Sequence, residues 1–339
     1  MSLIYVVGAR GLMGKRVLQL LQDELPRDQI VPLSRKEPIH SQRHVDLHHP
    51  DALELQPGDV VVNAVGLHPL QVNPYPMITH CLRSGAHYID LAESLDIHEL
   101  GSQAVTAFTA EGTPTSAVVQ GCSTIPAMVD VLLPAAGGAE RTVLLSVGLK
   151  NEISVSLMYG LLRPLGRHHA SGRWWTETTS RRLFDGSLRR YGSHPGSWTD
   201  GTTQFFCGFD RRFAYWVLRA GLALTSRMSD DALVALCKAA LPLALPGGQV
   251  VGTPRGSLRV EQRRSGQLTE TVEVRAERDG LLVPSLPAVW AARELVGRRD
   301  VAGLTNLGEL IDRDAIVDEL QRRGYEVEHR LEASELTYT

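Results

Sequence analysis

The chain has little excess charge: 35 Lys and Arg stand against 38 Asp and Glu, a formal charge of −3. That balance supplies no field to draw a polyanion or an anionic surface, so no nucleic-acid partner is expected. Cysteine is scarce as well. Cys81, Cys122, Cys207 and Cys237 lie far apart with no C-x-x-C spacing. Neither a disulfide framework nor a zinc ribbon is indicated, and a reducing cytoplasm is the simplest compartment. Long apolar runs are missing too: 213–225 and 232–246 are broken by Arg219 and Lys238, so no membrane span is expected. The first residues, MSLIYVVG, lack the basic stretch and extended apolar core of a signal peptide. His40, His44, His48 and His49 crowd one stretch without any metal-ligand spacing, and no metal is expected. Internal repeats and low-complexity tracts are absent.

What is present is an ordinary globular composition, 43% hydrophobic and 22% charged, in 339 residues, enough for two domains with separate cores. Over the first ~120 residues apolar runs alternate with helical patterns, as in an α/β doubly wound parallel sheet. Strands are expected at 3–7, 29–33, 59–64, 87–91 and 115–120. Helices are expected after the first Gly-rich turn, at 75–84 before Gly85, and at 104–111 before Gly112. Beyond about residue 122 the pattern changes. A helix is expected at 123–136, a strand at 142–149, helices at 213–225 and 229–243, and strands at 257–263 and 270–276 with the alternating polarity of an antiparallel sheet. Helices at 288–295 and 314–323 follow.

Gly8-Ala9-Arg10-Gly11-Leu12-Met13-Gly14 is a G-x-x-G-x-x-G loop between the first strand and the first helix. The first glycine permits a tight turn, the second lets the backbone approach a pyrophosphate at the helix N-terminus, and the third lets helix pack on strand. A nicotinamide dinucleotide is therefore the expected cofactor. An NAD enzyme places an acid about 20 residues after the loop, at the end of the second strand. Here that position reads Ser34-Arg35-Lys36, with Glu37 only afterwards, before Pro38. A hydroxyl and two cations suit a 2′-phosphate, and Arg10 adds a third cation, so NADP is expected ahead of NAD. Asp46 and Leu47 are placed toward the adenine end. Asn63, Ala64 and Gly66 close the strand at 59–64 at its carboxyl end, where open α/β sheets bind ligands.

Four stretches resemble the saccharopine dehydrogenase-like reductases: the glycine loop, residues 59–66 with the helix that follows, His87-Tyr88-Ile89-Asp90-Leu91, and Gly121-Cys122-Ser123-Thr124-Ile125-Pro126. Cys81, Gly85, Tyr88 and Asp90 reproduce the spacing of that family's A-C-x-x-x-G-x-x-Y-x-D segment, and 301–328 is similar to its closing segment. The chain departs from the family after Gly66, with Leu67-His68-Pro69, and after Gly121, with Ser-Thr-Ile-Pro. The resemblance covers about 1–135 and 285–330. It implies an N-terminal Rossmann domain (1–122), an inserted α+β substrate or dimerisation domain (123–284), and a closing segment (285–339) that packs back on the Rossmann domain. It also implies NAD(P)-linked oxidation or reduction, in relatives often of an amino-acid imine or its secondary amine.

Hydride chemistry asks a protein for cofactor orientation, a proton carrier and substrate anchors. Asp90 and His68, at or beyond strand carboxyl ends, are candidate proton carriers, and Cys122 could face the nicotinamide; Tyr88 reads as core. Nine arginines between 163 and 212, interleaved with Trp174, Trp175, Tyr191, Trp198 and Phe205, suit a substrate carboxylate, a lid or a subunit interface. The expectation is an NADP-dependent oxidoreductase acting on a small molecule, as a homodimer. Reduction of a lipid-like enoyl or carbonyl compound, and cofactor sensing without turnover, are the alternatives.

Overall fold

The computed structural model describes residues 1–34, 43–65, 73–92, 95–112, 115–122, 125–134, 139–159, 162, 171–175, 180–185, 203–209, 225, 227–278 and 285–331. Its strands are β1 (Ile4–Val7), β2 (Ile30–Ser34), β3 (Arg43–His44), β4 (Val60–Asn63), β5 (His87–Asp90), β6 (Ala117–Val119), β7 (Glu140–Val147), β8 (Ser171–Trp175), β9 (Ser180–Asp185), β10 (Thr203–Phe209), β11 (Gly256–Arg264), β12 (Gln267–Ala276), β13 (Gly303–Leu304) and β14 (Glu326–Leu331). The helices of eight or more residues are α1 (Leu12–Glu24), α2 (Tyr75–Ser84), α3 (Leu95–Glu111), α4 (Ile125–Leu132), α5 (Asp230–Val251), α6 (Leu286–Leu295) and α7 (Arg313–Arg322). They divide between two compact units. One holds 1–131, 190–197 and 282–312; the other holds 132–189, 198–281 and 313–339.

The first unit is built on a seven-stranded sheet in the order β13-β6-β5-β4-β1-β2-β3, parallel at every pairing. From β3 to β6 this is the doubly wound Rossmann order 3-2-1-4-5-6. β-Branched runs make it so: Val60, Val61 and Val62 are all fully buried, as a sheet covered on both faces requires. On one face Tyr5, Val7, Leu33, Val61, Tyr88 and Val118 pack against Met77, Ile78, Cys81 and Leu82 of α2 and Ala104 of α3. On the other, α6 packs on α1, β4 and β5, and its Trp290 is wholly buried. α2 stops where the sequence places its end. Gly85 takes a left-handed φ of 69° and returns its N–H to the Cys81 and Leu82 carbonyls, a conformation glycine adopts without a Cβ penalty.

The second unit contains a mixed sheet, β14-β12-β11-β7-β10-β9-β8. Only β7 and β10 run parallel; the remaining pairings are antiparallel. β11 and β12 alternate as expected. Leu258, Val260, Val272 and Val274 are buried, while Arg259 pairs with Glu261 and Arg275 with Glu273 on the opposite face.

Three expectations are revised. The helix expected at 229–243 runs to Val251, through Pro242 and Pro246. Proline removes one intrahelical bond but does not stop a helix whose other side is anchored. The segment expected at 285–339 divides: 282–312 joins the first unit, where β13 pairs with β6, and 313–339 joins the second, where β14 pairs with β12. α4, expected to open the second domain, lies almost wholly in the first unit. The helix expected at 213–225 falls outside the described residues apart from Thr225.

Candidate functional site

The carboxyl ends of β1, β2, β4, β5 and β6 lie together on one edge of the parallel sheet, as parallel pairing in this order dictates. The glycine loop sits at the centre of that edge. It is fastened by Ala9 N–H to Leu33 O (3.4 Å), and the neighbouring strand end by Ala64 N–H to Val7 O (3.0 Å). Gly8 has φ 77°, and a Cβ there would lie 3.1 Å from the Ala64 carbonyl oxygen. A Cβ on Gly14 would strike the Gly8 carbonyl, so the fold itself excludes a side chain at both ends of the motif.

Gly11 differs. Its φ is −71°, it is exposed, and an added Cβ would meet only the Gly8 oxygen at 3.3 Å. Little within the chain demands glycine there, and a pyrophosphate approaching the backbone would demand it. Leu12 and Met13, half-buried, open α1, whose first turn holds no acid and whose N-cap makes no side-chain bond. The helix dipole and the amides of that turn therefore point outward at the loop, an anion site by construction. Arg10, half-buried, borders it.

Ser34 ends β2, is 4% exposed and pairs with His44 of β3. Among the described residues of β2, from Ile30 to Ser34, there is no acid. Arg35, Lys36, Gly66 and His68 lie outside the described residues. Asp46 and Leu47, expected toward the adenine end, follow β3. Leu47 is buried in the core beside Tyr5 and Leu33. Asp46 accepts the His48 amide at 2.9 Å and faces the His49 ring at 3.1 Å, contacts that hold its carboxyl below the usual range.

A second cluster lies at the ends of β4, β5 and β6. Asn63 Nδ2 donates to Tyr88 Oη (2.8 Å), and the Tyr88 hydroxyl donates to Asp90 Oδ2 (2.6 Å). Asp90 Oδ1 accepts the Ala92 amide, and its main-chain oxygen accepts the Cys122 amide at 2.7 Å. Asn63 Oδ1 also accepts the Val65 amide, 3.3 Å away. Asp90 is 1% exposed. Burial pushes its carboxyl up to about 6, against the opposing hydrogen bonds from Tyr88 and Ala92. Burial, then the Asp90 charge, drives the Tyr88 hydroxyl well above its ordinary value.

Cys122, a candidate to face the nicotinamide, is fully buried, and burial with the adjacent Asp90 keeps its thiol protonated. Asp90, a candidate proton carrier, is buried as well. Tyr88 is core, as its sequence reading has it, and its hydroxyl is the hub of this cluster. Sequence reasoning missed Gln120, 3% exposed at the end of β6, whose amide occupies the space a Cβ on Gly101 of α3 would need. A glycine in the interior of a helix was the available signal.

No family model matches the chain, and no curated protein matches it in sequence. Solved structures do. Saccharopine dehydrogenase (L-Glu forming) from Saccharomyces cerevisiae, in its apo form, aligns over 98% of this chain and 100% of its own with TM-score 0.50 at 12% identity. An engineered D-amino acid dehydrogenase bound to NADP+ aligns over 95% and 99% with TM-score 0.48 at 13% identity. The chain thus has a saccharopine dehydrogenase-like fold.

Proposed function

We propose that this protein is an NADP-dependent oxidoreductase that moves hydride to or from the C=N bond of an amino-acid-derived substrate. The observation that carries cofactor binding is Gly11, a glycine that the surrounding chain hardly requires, at a helix N-terminus with no acid in its first turn. NADP rather than NAD is supported by Ser34 at the end of β2, with Arg35 and Lys36 next in sequence and Arg10 in the loop. The substrate class is supported by the shared fold with a saccharopine dehydrogenase and by the sequence resemblance at 87–91.

The cofactor, when bound, supplies or takes the hydride. The first-turn amides of α1 would hold the pyrophosphate, and Gly8 and Gly11 would let it approach. Ser34, with Arg35 and Lys36 next in sequence, would hold the 2′-phosphate, and Ala64 and Gly66 would let the backbone come close to the cofactor. Asn63, Tyr88 and Asp90 position the ends of β4 and β5 rather than touching substrate. His68, which follows β4 in sequence, would carry the proton that balances hydride transfer at the imine nitrogen.

Parallel fluorescence titrations with NADPH and NADH test the cofactor. Tight NADPH with weak NADH is expected, and Arg35→Asp should weaken NADPH binding far more than NADH binding. Gly11→Ala should cost at least about tenfold in NADPH affinity, some 1.4 kcal/mol, while leaving the unfolding midpoint nearly unchanged. Equal losses for both nucleotides would sink the 2′-phosphate assignment. NADPH binding with no turnover across a panel of imines and secondary amines would favour a cofactor sensor.

A further inference from the structure

α5 presents an apolar surface that the described residues of its own unit leave open. One side of the helix is anchored. Leu233 and Cys237 are buried with Met158, and Ile153 and Leu241 pack around them. Farther along, Gly248 lies so close to the Leu149 carbonyl that any side chain would strike it. The other side faces outward: at 3.6 residues per turn Ala239, Leu243, Pro246 and Val250 share one stripe, with Leu243 78% and Val250 82% exposed. All charge on α5 sits in its amino half, at Asp230, Asp231 and Lys238; residues 239–251 carry none.

We propose that this stripe is where two copies of the chain pair, α5 against α5, antiparallel about a two-fold axis near Leu243. A two-fold contact is self-complementary. It sets Leu243 against its own copy, brings Val250 toward Leu236 of the partner, and lets Ala239 and Gly247 admit the close 8–10 Å approach of packed helices. Charge selects the antiparallel sense. The acidic amino end of each α5 then lies at the uncharged carboxyl end of the other, with the two helix dipoles opposed. A parallel pair would bring four aspartates together.

By length and composition α5 could also cross a membrane, but its details fit a protein partner better. Surface helices that dock on anionic lipid carry Lys and Arg along their polar flank, whereas α5 has one lysine against two aspartates. Pro242 and Pro246 withhold the amides that would serve the Lys238 and Pro242 carbonyls. A water-bearing protein interface can satisfy those oxygens, and hydrocarbon cannot. From Ala239 to Val250 the stripe is roughly 17 Å long and about 10 Å wide, about 170 Å² on each copy, against about 800 Å² per partner in a standard stable interface. It is the apolar centre of a weak, reversible dimer rather than an obligate one.

Light scattering on the eluting full-length protein, loaded from about 1 to about 100 μM to bracket a micromolar Kd, tests this. The mass should rise from one chain to two across that range. Leu243→Asp should stay at one chain throughout, with unchanged circular dichroism and NADPH binding, since the side chain it replaces is exposed. Leu243→Cys should cross-link to its own copy under mild oxidation, and Asp231→Cys should not. A single chain at every concentration, or a dimer indifferent to Leu243→Asp, would overturn the proposal. So would a monomer that sediments with phosphatidylserine vesicles and is released by Leu243→Asp. Loss of NADPH binding in the unaltered protein bears on the proposed activity alone and leaves the pairing test standing.

Discussion

In the parallel sheet Asp90 is a buried carboxylate held by a hydroxyl and an amide; in the mixed sheet Glu273, 3% exposed, is held between Arg275 at 2.8 Å and Arg259 at 3.8 Å. Both groups give up hydration. Guanidinium groups return that cost to Glu273 directly, and the ladder continues through Glu261 and Arg263. Asp90 has neutral donors only among the described residues, and its carboxyl is pushed up as a result. Natural sequences tolerate a poorly compensated charge mostly where function needs it. The difference therefore separates the sheet edge that works from the sheet face that supports.

Substitutions can break or sharpen that contrast. The largest effect is expected from Tyr88→Phe. It strips a donor from Asp90 and an acceptor from Asn63 in a site closed to water, so chemical denaturation should show a loss of about 3 kcal/mol. Asp90→Asn should act in the opposite direction, adding on the order of 2 kcal/mol at pH 7 because no buried charge remains, while lowering turnover. A loss of stability there would erase the contrast with Glu273.

The pH profile gives an independent check. With its folded value raised to about 6 from 3.8, Asp90 holds a proton in the fold that the unfolded chain has released. Its contribution is fully present below about 4 and declines as pH rises to 6. His87 opposes it. Its Nδ1 accepts the Ala117 amide at 2.9 Å while Nε2 donates to the Arg298 oxygen at 2.9 Å, and burial lowers its value from 6.5. That contribution is present above 6.5 and is lost on acidification. Removing Asp90 should therefore unmask a fall in stability below pH 6.5 that the unaltered protein partly hides.

Glu273→Gln should cost about 1 kcal/mol, moderated because Arg275 is one-third exposed, and the cost should shrink in high salt. Arg298→Ala ends the series. Its bidentate pair with Asp300 lies at the surface, and no change in midpoint should be measurable.

The parallel sheet was readable from sequence because a strand buried on both faces must be apolar along its length. Val60, Val61 and Val62 admit one interpretation, and Gly85 marks the end of α2 by chemistry rather than statistics. Chain composition hid β8 and β9. Ser171-Gly172-Arg173 and Ser180-Arg181-Arg182 carry no strand periodicity, yet their backbones pair antiparallel from Ser171–Phe184 to Trp175–Ser180. β3 is two residues long, below what periodicity can register. At the site, the glycine loop was legible because backbone geometry constrains residue type. The fate of Asp90 and Cys122 was not, because a position at a strand's end does not say whether the next turn folds over it.

The return of 282–312 to the first unit also sets a timetable. α6 covers α1, β4 and β5, with Leu286, Val289, Trp290 and Leu295 wholly buried, but it is made about 150 residues after that unit's first stretch ends. At 5–20 residues per second, a nascent chain carries that apolar face uncovered for roughly 10–30 s. Over that interval the newborn dinucleotide unit offers chaperones a surface that the finished protein never shows.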